Sequence, residues 1–98
     1  MSDASPSESS PREPKAKLQV SFASFLVSLG RTALEHLGDV PETEARADLD
    51  LARQTIDLLA ILQDKTKGNL DTEEARLLES MLYELRMRYV KRAGASKA

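Results

Sequence analysis

Residues 49–91 read LDLARQTIDLLAILQDKTKGNLDTEEARLLESMLYELRMRYVK, two helix-period stretches separated by a short, strongly marked break. Through residues 49–66, steps of about 100° put Leu49, Leu51, Ala52, Ile56, Leu58, Leu59 and Leu62 on one broad face, with Asp50, Arg53, Asp57 and Asp64 opposite. Asp48 precedes the stretch as an N-cap. Ile61 falls among the polar positions, which marks it as a candidate contact residue. The break is read from its chemistry. Lys65 and Lys67 suit the carboxyl end of a helix, Gly68 accepts a left-handed backbone, and Leu70 can fold back onto apolar neighbours. Asp71-Thr72-Glu73-Glu74 has the pattern of a capping box, so a further helix starts at Thr72 and runs to about Lys91. Its core face carries Ala75, Leu77, Leu78, Met81, Leu82, Leu85 and Tyr89. So short a connection forces the two helices antiparallel, as an αα-hairpin.

Upstream, residues 21–37 form a third periodic stretch. Phe22, Phe25, Leu26, Leu29, Ala33 and Leu37 share a stripe, with Ala23, Val27, Gly30 and Leu34 beside it, about 200° of apolar arc in all. Ser21 is the expected N-cap and Gly38-Asp39 the expected stop; residues 40–47 read as a polar connector. An apolar arc this wide needs cover on more than one side. Phe22, Phe25, Val27 and Leu34 are therefore candidate oligomer contacts, and the expected fold is all-α, a small three-helix protein completed by homodimerisation. On the back of the last helix, Tyr83, Met87 and Val90 recur at i, i+4 and i+7, bordered by Arg86. Together with Ile61 they make a candidate surface for a protein partner.

Composition sets the limits of this body. Apart from Met1 and the alanines, the hydrophobic residues all lie between Leu18 and Val90. Residues 1–17 carry Pro6, Pro11 and Pro14 among five serines, and read as a disordered arm in which Ser5-Pro6 and Ser10-Pro11 are candidate phosphorylation sites. Residues 18–92 form the helical domain and residues 93–98 a flexible basic tail. A domain of this size has a marginal core unless it oligomerises. The net charge of −2 conceals an acidic body and a basic end: between Glu35 and Glu84 acids outnumber bases by 13 to 5, and beyond Glu84 come five bases and no acid. Such a body repels phosphate, which disfavours general nucleic-acid binding and leaves a local RNA contact through Arg88, Lys91 and Arg92 as the alternative. Residues 15–30 place KAK before SFASFLVSLG, a loose likeness to an export signal, but serines interrupt the apolar run and it is too short to span a bilayer. A cytoplasmic protein without membrane contact is the expectation.

Catalytic chemistry finds little to work with. There is no Cys, and His36 is the sole histidine, which excludes thiol chemistry and the His pairs of most zinc sites. The four glycines are isolated and form no phosphate loop. Asp50, Asp57 and Asp64 recur every seven residues, two turns apart and too distant to chelate one ion, so they read as a solvated helix face. Glu73 and Glu74 belong to the capping box, and His36, at the edge of an apolar face, reads as structural. No catalytic, cofactor or metal residue is assigned, and a non-enzymatic protein is expected.

Three blocks carry a family likeness: SFASFLVSLGRTALEHLGDVP (residues 21–41), ARQTIDLLAILQDKTKGNL (52–70) and EEARLLESMLYELRMRYV (73–90), most specifically in QTIDLL, KTKGNL and LYELRMRY. Together they resemble the small bacterial family known as domain of unknown function 1844, over nearly all of residues 20–90. The resemblance implies a compact helical bacterial protein and supplies no activity or active site. Within the last block, core packing accounts for Tyr89 but not for Arg86 and Arg88. The expected function is a helical interaction or adaptor protein, acting through homo-oligomerisation and partner binding.

Overall fold

The computed structural model describes residues 20–97. The arm, with Ser5 and Ser10, lies outside the described residues. What is described is all-α: helix α1 (Phe22–Leu37), a 3₁₀ turn (Glu44–Arg46), helix α2 (Leu49–Lys65) and helix α3 (Thr72–Lys97). Each helix packs on the other two.

Local chemistry fixes the starts. Ser21 caps α1 reciprocally with Ser24, each side-chain oxygen accepting from the other's backbone N–H at 3.1 Å. Asp48 accepts from the Leu51 amide at 3.1 Å. At α3 the expected box is formed: the Glu74 amide donates to Asp71 Oδ1 at 2.8 Å and the Asp71 amide to Glu74 Oε1 at 2.9 Å. Each cap satisfies amides that the first helical turn leaves without intrahelical partners.

The two connections close differently. After α2, Gly68 takes φ +88° and Leu70 packs back against the core, so the hairpin turns within a few residues. After α1, Gly38 takes φ +81°; its N–H donates to Glu35 O at 3.0 Å and the Asp39 N–H reaches Leu34 O at 2.9 Å. That crossed pair is a Schellman closure. The chain then turns through Pro41 and Glu42, the latter at φ +73°, with the Thr43 amide donating to Val40 O at 3.0 Å. Thr43 is buried, its hydroxyl bonded to that same carbonyl. Finally the Asp48 amide donates to His36 O at 2.7 Å, tying the start of α2 to the end of α1.

The core sits where the three helices meet: Leu26, Ala33 and Leu37 from α1, Ala52, Ile56 and Leu59 from α2, Leu78, Leu82 and Leu85 from α3. Two expectations change. Leu51 and Leu58, placed by periodicity on the core face of α2, are exposed, as is Ala75 of α3. Only two neighbouring helices face α2, and they cover the arc around Ala52, Thr55, Ile56 and Leu59 without reaching its edge. The last helix, expected to end at about Lys91 ahead of a tail from residue 93, continues to Lys97. Ala93 and Ala95 favour helix, and Gly94 in a helical backbone costs only about 1 kcal/mol against alanine.

Candidate interaction surfaces

Asp39, placed just beyond the Schellman closure, meets two arginines of α3. Arg88 Nη1 donates to Asp39 Oδ2 at 3.1 Å and Arg92 Nε to Oδ1 at 2.8 Å, while Arg92 Nη2 donates to Gly38 O at 3.2 Å. The Asp39 side chain is only 11% exposed. Burial raises its carboxyl, but the bonds and charges of Arg92 and Arg88 outweigh that and hold it below its ordinary value. Arg88 is pushed up in turn, first by its bond to Asp39 and then by Glu84, whose carboxylate accepts from Nε at 2.8 Å. The cluster fastens the end of α1 to α3. Two of the three residues proposed to touch RNA, Arg88 and Arg92, thus donate within the protein, and Lys91 is exposed beside them.

Because Asp39 meets Arg88 and Arg92, and Met81 Sδ lies 3.0 Å from where a Cβ on Gly30 would stand, α1 and α3 run side by side in the same direction. Between them lies an open groove of about 450 Å³, lined by Val27, Gly30 and Leu34 of α1 and Leu77, Met81 and Leu85 of α3. Opposite charges border it. Arg31 pairs with Glu35 at 3.2 Å on the α1 edge, and Glu84 pairs with Arg88 on the α3 edge. Of the four candidate oligomer residues, Val27 and Leu34 line this groove. Phe22 and Phe25 point elsewhere and pack on one another, with ring centroids 6.4 Å apart.

The remaining candidates form separate patches. Tyr83, Met87 and Val90 lie along the back of α3, and at 68% and 66% exposure Tyr83 and Val90 are open to solvent. Arg86 is exposed beside them. Ile61 is exposed on α2, where it joins Leu51 and Leu58 rather than the strip on α3. His36 is partly buried near the end of α1, and its carbonyl is the one that Asp48 engages. Among the described residues, no group of three or more His, Cys, Asp or Glu is placed to hold a metal ion, and no helix is long and apolar enough to cross a membrane.

The family model described as Domain of unknown function (DUF1844) matches residues 19–91, from the cap of α1 to the Arg88 turn of α3. The chain belongs to this family. The DUF1844 match thus takes in Asp39, Arg88, both edges of the groove and the back strip of α3, and stops one residue short of Arg92. No curated protein and no solved structure matches the chain. Sequence reasoning singled out Arg88 as unexplained by packing; the missing half of the pair was Asp39, read only as part of a helix stop.

Proposed function

We propose that this DUF1844 protein is a non-enzymatic, cytoplasmic interaction protein that self-associates and also binds a protein partner. The observation that carries the reading is apolar surface left over after folding. Among the described residues Val20, Phe25, Val27, Leu51, Leu58, Ile61, Tyr83, Met87 and Val90 all remain exposed. A single exposed apolar side chain is ordinary, but all of these except Val20 lie on the helices in patches, and each of those forgoes roughly half of the about 1.5–3 kcal/mol that full burial of such a side chain contributes. The groove between α1 and α3 suits self-association, since it is shared by two helices. The strip of Tyr83, Met87 and Val90 suits a partner helix, read at the i, i+4 and i+7 positions of α3. The RNA alternative draws less support, because Arg88 and Arg92 are engaged by Asp39.

The partner surface is tested by in-cell crosslinking of the full chain beside its Tyr83→Ala/Met87→Asp double variant. Both positions are exposed, so the variant is expected to fold. Loss of crosslinked partner with helicity retained supports the reading; undiminished capture shows the strip to be ordinary surface.

A further inference from the structure

We infer that the occupant of the α1–α3 groove is the same groove of a second copy, joined about a two-fold axis that runs along the helices. The inference rests on the self-association proposed above and names its face and its register. An isologous contact needs a surface that complements itself: if residue i touches residue j of the second copy, j must also touch i. The charged edges of the groove have this property. Along the shared direction of α1 and α3, one edge reads Arg31 then Glu35, the other Glu84 then Arg88, with the same four-residue spacing and the opposite order of sign.

The levels agree as well. Gly30 stands beside Met81, so at 1.5 Å per residue Arg31 lies about 3 Å along the axis from the level of Glu84, and Glu35 about 3 Å from that of Arg88. A two-fold axis along the helices lays α1 of one copy on α3 of the other, both running the same way. Each Arg31 then faces Glu84 of the second copy and each Glu35 faces Arg88 of the second copy. An axis across the groove would instead lay α1 on α1 and α3 on α3, antiparallel; centred at the level of Gly30 and Met81, it parts Arg31 from Glu35 of the second copy by about 9 Å along the axis and Glu84 from Arg88 of the second copy by about 15 Å. Under the parallel arrangement Val27, Gly30, Leu34, Leu77, Met81 and Leu85 of both copies meet as the centre of a four-helix layer. Gly30 gives the Met81 thioether room there. Side chains at the four edges, 42% to 68% exposed in the single chain, supply the polar rim of that contact.

The test is a charge exchange between copies of the full chain. Arg31→Glu alone sets Glu against Glu84 twice per dimer, and Glu84→Arg alone sets Arg against Arg31 twice. Each is expected to weaken self-association about tenfold or more. Mixed together, the two variants restore attraction at both contacts, so native mass spectrometry should show a heterodimer in excess of either homodimer. Both side chains are exposed, and circular dichroism reports whether each variant folds. A second measurement removes dependence on the reversals: the chain lacks cysteine, so under mild oxidation a mixture of Arg31→Cys and Glu84→Cys chains should crosslink to each other more than to themselves. A wild-type dimer that both variants form unchanged, with no preference for the mixed pair, overturns the groove while leaving self-association standing. A monomeric wild type overturns both.

Discussion

The two connections of this protein reverse the chain by opposite means. Between α2 and α3 the turn is closed by its own residues: Gly68 supplies the left-handed step, Leu70 packs back, and Asp71 and Glu74 cap the helix that follows. Between α1 and α2 closure is borrowed from elsewhere. Gly38 needs space beside Ala47, Asp48 bonds back to His36, and Asp39 is held by arginines 49 and 53 residues away. The first connection only reverses direction. The second decides where α1 lies on α3, and with it the shape and charge register of the groove.

The largest test of that contrast compares the two glycines. Their φ values are nearly equal, so alanine costs each about 1–2 kcal/mol in backbone strain. A Cβ at Gly68 meets nothing within 4 Å, whereas at Gly38 it stands 3.0 Å from the Ala47 Cβ. Gly38→Ala is therefore expected to cost about 2–3 kcal/mol in urea unfolding and Gly68→Ala about 1. Equal costs would show that the first connection is as self-contained as the second.

Asp39→Asn comes next. It keeps the shape and removes the charge that both arginines face, at an expected cost of about 1–2 kcal/mol, moderated because the guanidinium groups remain partly hydrated. Since the Asp39 carboxyl is held low, its stabilisation is complete well above the ordinary aspartate value of about 3.9 and is lost as pH falls through the lower folded value. The stability gap between wild type and variant should thus be constant from about pH 6 to 8 and close in acid. A gap that persists unchanged under acid conditions would detach the effect from the carboxylate. The smallest effect is a gain: Glu42 sits at φ +73°, so Glu42→Gly should stabilise by about 0.5 kcal/mol, the relief of strain outweighing the added freedom of the unfolded chain.

The same contrast explains what could be read from the sequence. Helices, caps and the hairpin were legible because each signal lies within a few residues of what it controls, as with Asp71 and Glu74. Periodicity also found the two sides of the groove, Val27 and Leu34 on α1 and Leu77 and Met81 on α3, without showing that they face one another. The Asp39 cluster was not legible, because nothing local to Asp39 distinguishes a helix stop from an anchor for Arg88 and Arg92. Leu51 and Leu58 mark a second limit. A wheel reports which residues share a face, but the number of neighbours decides how much of that face is covered. At the end of α3, Gly94 alone did not stop a helix flanked by alanines.

The apolar surface left exposed on the three helices is the basis of the proposed self-association, and sedimentation equilibrium of the full chain, at concentrations on the order of tens of micromolar, tests it without mutation or label. The expected result is a reversible species of twice the chain's mass, its dissociation strengthened by salt as the edge charges are screened. A folded species of single-chain mass across that range would contradict it.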